Sequence, residues 1–260
     1  MWRGSTTNNG KFFATLIPVG LQIAQRSSRI QRAEVKPQMQ ITWYGQACFR
    51  IQSGDVTIIL NPFDKSVGLN APRGKADIVL LSNGSSDAAE RYPDAGFVIT
   101  GAGEYEIKEV LIKGLSFFYA DESSPKKPQK KATVYTLNIE GVSICSLDNA
   151  GKQEIESILD KIGEVDILMA PVGGFYEING EKFPALDAEA AMKVINEIEP
   201  RIVIPMCYKI PKLDIKVEGA EKFLKAIGAP DVAPVDKLTI KKKDLSQEET
   251  KVILMETVTQ

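Results

Sequence analysis

The sequence predicts an α/β fold of one domain, two sheets with helices outside them, and three observations carry that expectation. The first half reads as short apolar strands punctuated by glycine turns. The second half alternates helical spacing with short apolar strands. No long proline- or serine-rich linker divides the two. With 260 residues, 43% hydrophobic and 25% charged, the chain has the composition of an ordinary globular protein with room for a core.

The amino terminus stands apart. Arg3, Lys11, Arg26, Arg29, Arg32 and Lys36 face one acid, Glu34, so residues 1–38 carry +5 and residues 39–260 carry −7 of a net −2. Within this segment the apolar run "FFATLIPVGLQIA" covers residues 12–24. A helix needs about 20 apolar residues to span a bilayer, so this run is too short. It suits the apolar part of a signal peptide or an amphipathic presequence, although only Ala24 fits a cleavage pattern. Residues 1–38 therefore read as a basic extension or mis-called start that stays disordered, with a targeting segment as the alternative. The folded domain is expected over residues 39–260, from Met39.

From there "ITWYGQACFRIQSGDVTIILNPF" gives two strands joined at Ser53-Gly54-Asp55. "ADIVLLS", residues 76–82, is a buried strand that opens into the small polar cluster "NGSSDAAE". "GFVITGAGEYEIKEVLIKGLSFFYA" adds strands around Gly101-Ala102-Gly103, and "ATVYTLNIEGVSICSLDNAG" is a hairpin turning at Glu140-Gly141. Between them, "DESSPKKPQKK" is a solvated loop rather than a phosphate-binding patch, since no aromatic residue is interleaved with its charges. "QEIESILDKIG" has helical spacing, and "VDILMAPVGG" is a strand ending in glycines. "LDAEAAMKVINEIEP" is a helix capped by Asp187 and stopped before Pro200, followed by the strand "RIVIPMCY". "VEGAEKFLKAIG" is a further helix and "KVILMETV" a last strand.

Composition narrows the chemistry. The chain contains no histidine, the commonest metal ligand and the usual general base near neutral pH. Its charge balance gives no bulk attraction to nucleic acid or an anionic membrane. The three cysteines, Cys48, Cys145 and Cys207, are odd in number, far apart and without a CxxC, which fits a reducing cytoplasm. Cys48 in "ACFRI" and Cys145 in "VSICSL" read as core thiols. Glu104 and Glu106 share one face of a strand, the solvated one.

Taken in order, "ITWYGQACFRI", "NPF", "VLLSNGSSDA", "GAGEYEI", "ICSLDNAG", "APVGG" and "IVIPMCYKIP" resemble the metallo-β-lactamase fold. They look most like its small bacterial and archaeal branch of predicted zinc-dependent hydrolases, related to lactonase-like proteins. The likeness runs from residue 39 to about 257, through "KFLKAIG" and "SQEETKVILM". It implies a four-layer αβ/βα sandwich with a metal site at one edge, between the sheets, and zinc as the family's cofactor.

The resemblance also implies where the ligands would stand. In the family, the strand ending at Ser82 is followed by a His-x-His-x-Asp-His cluster; here those places hold Asn83, Ser85, Asp87 and Ala88. A His-Leu-Gly-Asp pattern reads here as Ser146-Leu147-Asp148-Asn149, and in Pro-Met-His-Tyr the histidine is Cys207. Gln46 and Ala120 stand where relatives carry histidine, and Asn61 where an aspartate is usual.

Catalytic zinc takes about three protein ligands in an open tetrahedral arrangement. Asparagine and serine bind it poorly and alanine not at all, which leaves Asp87, Asp148 and Cys207 as strong donors. Asp148 lies one position from the expected carboxylate, and along a strand that shift turns a side chain to the opposite face. Asp87, Asp148, Asn83 and Asn149 offer magnesium or calcium two carboxylates, too few for a hard cation. Cys207 has no imidazole base and reads as a buried thiol filling the space of a lost histidine.

The expectation is therefore a non-catalytic pseudo-hydrolase of the cytoplasm, without catalytic residues and without a metal cofactor. Its vestigial site is Asn83, Ser85, Asp87, Ala88, Ser146, Asp148, Asn149 and Cys207, a polar pocket for a small molecule, or a surface for a protein partner. Nucleic acid is not expected as a partner, nor a membrane unless residues 1–38 are genuine. The alternative is a metal-dependent hydrolase with a rearranged site using Asp87, Asp148 and Cys207.

Overall fold

Met39, Ile41 and Trp43 are buried and alternate with the exposed or half-buried Gln40 and Thr42, which sets the inward face of β1 (Met39–Gly45). A computed structural model describes residues 38–63, 67–83, 90–119, 129–148, 150–178, 181–183, 185–245 and 249–258. The basic segment, apart from Gln38, lies outside them, as do Ser85, Asp87, Ala88, Ala120 and Asn149.

β1 turns directly into β2 (Cys48–Ser53), with Trp43 opposite Phe49 and Ile41 opposite Ile51. The run "ITWYGQACFRI" is thus two antiparallel strands, where its apolar pattern reads as one. The break sits at Gly45 and Gln46, at φ 105° and 47°. The φ of Gly45 is one that glycine adopts freely, and a Cβ there would lie 2.5 Å from Leu69 Cδ1 and push that side chain aside.

β3 (Val56–Leu60) follows the expected Ser53–Asp55 turn, and the parallel β4 (Ile78–Leu80) and β5 (Phe97–Ile99) extend the sheet. Its order is β14-β1-β2-β3-β4-β5, with β14 (Leu238–Ile240) against β1.

The second sheet begins as a meander of β6 (Gly103–Ile107), β7 (Val110–Tyr119), β8 (Lys130–Ile139) and β9 (Val142–Ser146). Parallel strands β10 (Ile167–Pro171), β13 (Ile202–Met206) and β15 (Lys251–Val252) complete the order β15-β13-β10-β9-β8-β7-β6. A separate hairpin, β11 (Tyr176–Ile178) and β12 (Glu181–Phe183), follows β10. Glu104 and Glu106 are exposed, opposite Lys113 and Leu111.

Among the described residues the helices lie with the second sheet. "QEIESILDKIG" forms two turns of helix, α1 (Lys152–Glu156) and α2 (Leu159–Ile162), rather than one helix. The Ser157 hydroxyl donates to the Glu154 carbonyl at 2.6 Å, diverting the chain between them. α3 (Ala188–Ile198) keeps the predicted cap, with the Asp187 carboxylate accepting from Ala190 N at 2.8 Å. It ends at Glu199, in the left-handed region, one residue before Pro200. α4 (Glu221–Ala226) buries Phe223 and Leu224.

One apolar core fills the space between the sheets, with Trp43, Phe49, Tyr135 and Phe223 among its largest side chains. A smaller cluster of Ile59, Ala76, Val79, Leu81 and Tyr92 forms apart from it. At the amino ends of the second sheet's parallel strands, Asp166 is buried. It accepts from Ser143 N at 2.8 Å and pairs with Lys242 Nζ at 2.6 Å and Arg201 Nε at 3.3 Å. The opposite, carboxyl ends carry the site.

Candidate functional site

The site begins as a property of the backbone. Four non-glycine residues at strand ends adopt left-handed φ: Gln46 at 47°, Asn61 at 42°, Asp148 at 49° and Cys207 at 54°. Such conformations cost free energy and persist only where surrounding structure imposes them. The other non-glycine positions with positive φ, Lys108, Glu109, Glu140, Glu199 and Lys212, lie at turns or at the end of α3. The four form a pattern of their own, because each stands where the resemblance places a metal ligand or its neighbour.

Asn61 follows β3. Its N–H donates to Leu80 O and its Oδ1 accepts from Ser82 N, both at 2.8 Å, so the side-chain amide is oriented. Ser82 O in turn accepts from Thr133 N at 3.0 Å, a main-chain bond between the sheets. Two residues along β8, Tyr135 stands opposite Ser146, the last residue of β9. The Tyr135 hydroxyl lies 3.2 Å from Leu81 O and 3.3 Å from Ile99 O, at the carboxyl ends of β4 and β5.

On the second sheet, Leu147 N donates to Met169 O and Val172 N to Met206 O, aligning the ends of β9, β10 and β13. Cys207 is fully buried. Its carbonyl would lie 2.3 Å from a Cβ at Gly173, so the glycine of "APVGG" allows two loops to touch. The next residue, Tyr208, packs on Trp43 with ring centroids 5.0 Å apart, and Trp43 Nε1 donates to Gln46 O at 2.8 Å. Two runs of contacts thus reach this edge, one from Asn61 through Ser82 to Thr133 and the other from Tyr208 through Trp43 to Gln46.

Asp148 corrects an expectation. Strand alternation does not govern it, because β9 ends at Ser146 and the left-handed φ at Asp148 redirects the chain. Its carboxylate is buried, and its charge raises the pKa of both Cys207 and Tyr135. For Cys207 the larger cause is burial, which with Asp148 holds the thiol protonated well above its ordinary range. For Tyr135 burial also leads, followed by Tyr105 and Asp148.

Of the residues expected in the site, Ser146, Asp148 and Cys207 meet at this edge, while Asn83 is exposed just beyond Ser82. Ser85, Asp87, Ala88 and Asn149 lie outside the described residues. Tyr135 is missing from the sequence reading, since nothing in "ATVYTLNI" separates it from a core aromatic. Among the described residues, the buried atoms Gln46 Nε2 and Oε1, Asn61 Nδ2 and Ser146 Oγ make no hydrogen bond.

The donors among the described residues do not by themselves fit catalytic zinc. No three His, Cys, Asp or Glu side chains among the described residues are grouped to hold a metal ion.

The family model of the beta-lactamase superfamily domain matches residues 40–207. The chain belongs to the metallo-β-lactamase superfamily. A protein named as a metal-dependent hydrolase from Anaeromyxobacter dehalogenans is 23% identical, over 64% of this chain and 73% of its own. A protein of Pyrococcus abyssi is 25% identical over 65% of this chain and 83% of its own. The crystal structure of a candidate Zn-dependent hydrolase of the superfamily from Thermotoga maritima is 27% identical. It covers 84% of this chain and all of its own, with a TM-score of 0.64. The two sheets and their helices are the α/β sandwich of this superfamily. No helix among the described residues is long and apolar enough to cross a membrane.

Proposed function

We propose that this protein is a metallo-β-lactamase-fold pseudo-hydrolase, with a degenerate metal site that binds a small molecule or a protein partner without metal-dependent hydrolysis. One observation carries this reading. The backbone is left-handed at Gln46, Asn61, Asp148 and Cys207, and the side chains there are two amides, a carboxylate and a thiol. Zinc activates water only when about three donors hold it and leave a position open. Neutral replacements also remove the clustered charge that a cation would balance, so the fold tolerates the loss.

The proposed setting is the cytoplasm, which the three buried thiols Cys48, Cys145 and Cys207 suit. Neither nucleic acid nor a membrane surface is proposed as a partner.

A second reading, a hydrolase with a rearranged metal site built on Asp87, Asp148 and Cys207, draws on the name of the Anaeromyxobacter relative and on the nearness of Asp148 to Cys207. Elemental analysis of protein purified without an affinity tag separates the two. Sub-stoichiometric zinc, manganese and iron, with no ester or lactone hydrolysis that chelators suppress, is the expected result. A full equivalent of metal with chelator-sensitive turnover establishes the second reading instead.

A further inference from the structure

β6 ends the order of the second sheet, and among the described residues no strand pairs with its free side. The turn that follows β6 fixes which main-chain groups face that side. Lys108 and Glu109 have φ 50° and 64°, the two positive values of a two-residue type I′ hairpin turn, between the partners Ile107 and Val110. Such a turn makes its flanking residues a hydrogen-bonded pair, and along an antiparallel ladder bonded and non-bonded pairs alternate. Glu106 with Leu111 and Glu104 with Lys113 are therefore non-bonded pairs, so Glu104 and Glu106 turn their N–H and C=O groups away from β7. The next hairpin gives the same phase: counted back from Ile139 and Val142, Asn138 turns its main chain to β7, where its partner is Leu111.

Side chains add charge to this open edge. Both carboxylates are exposed. Lys113, opposite Glu104, spends its ammonium on Lys161 O at 2.8 Å, and no cation among the described residues pairs with either acid. Glu106, the half-exposed Leu111, Asn138 and Ser143 stand in one row across four strands, and with Glu104 and Lys113 they line a cavity of about 400 Å³. Between the two acids, Tyr105 belongs to the other face and packs on the core.

Charge then selects the occupant. A second copy pairing antiparallel through β6 about Tyr105 would set Glu104 against Glu106 twice, like charges directly opposite. Residues 39–260 carry −7 in all, so a basic strand is drawn to this edge where an acidic or identical one is repelled.

We propose that the free edge of β6 takes an extended segment of a partner protein by strand addition, in the pattern basic–apolar–basic against Glu104, Tyr105 and Glu106. In antiparallel pairing the two basic residues exchange main-chain bonds with Glu104 and Glu106 and meet their carboxylates on the face that carries the cavity. The apolar residue between them lies beside Tyr105. The inference goes beyond the binding reading above and does not depend on it, because none of Gln46, Asn61, Asp148 and Cys207 lines this cavity.

The test is a nitrogen–proton NMR titration of the full chain with the peptide acetyl-Lys-Val-Lys-Val-Lys-amide. Saturable downfield proton shifts are expected at the Glu104 and Glu106 amides, which gain an acceptor, while the Tyr105 amide, already turned to β7, moves least. The same peptide with glutamate for lysine binds about tenfold more weakly or worse. In the double variant Glu104→Lys with Glu106→Lys, at two exposed positions, this preference reverses. N-methylation of the lysine main-chain nitrogens abolishes binding, whereas N-methylation of the valine nitrogens changes it less than about twofold. Folded protein whose Glu104 and Glu106 amides ignore the lysine peptide overturns the proposal. So does affinity that survives methylation of the lysine nitrogens, which marks charge attraction without strand addition. Concentration-dependent broadening of the same two amides without peptide overturns it too, since the occupant is then a second copy.

Discussion

Tyr135, on β8 of one sheet, places its hydroxyl 3.2 Å from the carbonyl of Leu81 at the end of β4 in the other. It therefore ties the sheets at the edge where the site lies. Tyr135→Phe leaves the ring packing intact and removes only the donor, so the loss is that of a buried hydrogen bond, about 1 kcal/mol. Urea unfolding measures it. The same variant should speed hydrogen exchange at Ser82 and Thr133, whose main chains join the sheets beside it. Unchanged exchange at both amides would show that the tie lies elsewhere.

Asp166 holds the other end. Its carboxylate is buried and joins Ser143 N, Lys242 and Arg201, bringing the starts of β10 and β13 and the segment before β15 to one point. Asp166→Ala leaves two cations and an N–H without their anion and should cost about 2–3 kcal/mol. Lys242, about half exposed, should matter less, with Lys242→Ala costing about 0.5 kcal/mol. Comparable losses in the two variants, read from chemical denaturation, would contradict this ranking.

Local chemistry is legible in the sequence where it decides the structure. The Asp187 cap, the stop at Pro200 and the turns at Ser53–Asp55 and Glu140–Gly141 each depend on a few neighbouring residues, and each stands at its expected place. The split of β1 from β2 is not legible, because the apolar pattern runs on through Gly45 and Gln46, the two residues whose positive φ turns the chain. Asp148 departs from its expected direction for a related reason: alternation holds only inside a strand, and a left-handed residue re-aims the chain beyond it. The residue types at Ser146 and Cys207 are read directly from the chain. That the backbone turns left-handed at Asp148 and Cys207 is a long-range fact, written in no single segment.

Burial also sets a pH limit. Cys145 is pushed up from 9.0 to about 12, and Cys48 and Cys207 are raised as well, all led by loss of solvent. The native state keeps these protons where the unfolded chain releases them. Stability is therefore full below about pH 8.5 and falls as pH rises toward the folded values, by up to about 1.4 kcal/mol per pH unit for each thiol. Urea midpoints at pH 7, 9 and 10 should decline, and Cys145→Ala should make the decline shallower. A flat profile across this range would place the thiols in contact with solvent. In the same pH window an alkylating reagent should label none of the three thiols until denaturant is added.

The backbone frame makes the strongest claim about history and chemistry. If the φ values at Gln46, Asp148 and Cys207 are those of a metal centre whose ligands were replaced, then histidines returned to that frame should find the geometry waiting. Gln46→His, Ser146→His and Cys207→His combined supply three imidazoles, the number catalytic zinc requires. Imidazole is of similar size to the glutamine it replaces at position 46, whereas Ser146→His and Cys207→His add volume at buried positions and should lower stability by about 1–3 kcal/mol each, part of which bound metal offsets. About one equivalent of zinc should bind in competition with a colorimetric chelator, while the natural chain binds less than a tenth of that. Zinc should also raise the unfolding midpoint of the triple variant and leave that of the natural chain unmoved, since a ligand stabilises only the state that binds it. A folded triple variant that takes up no zinc would mean that the strained residues serve packing alone.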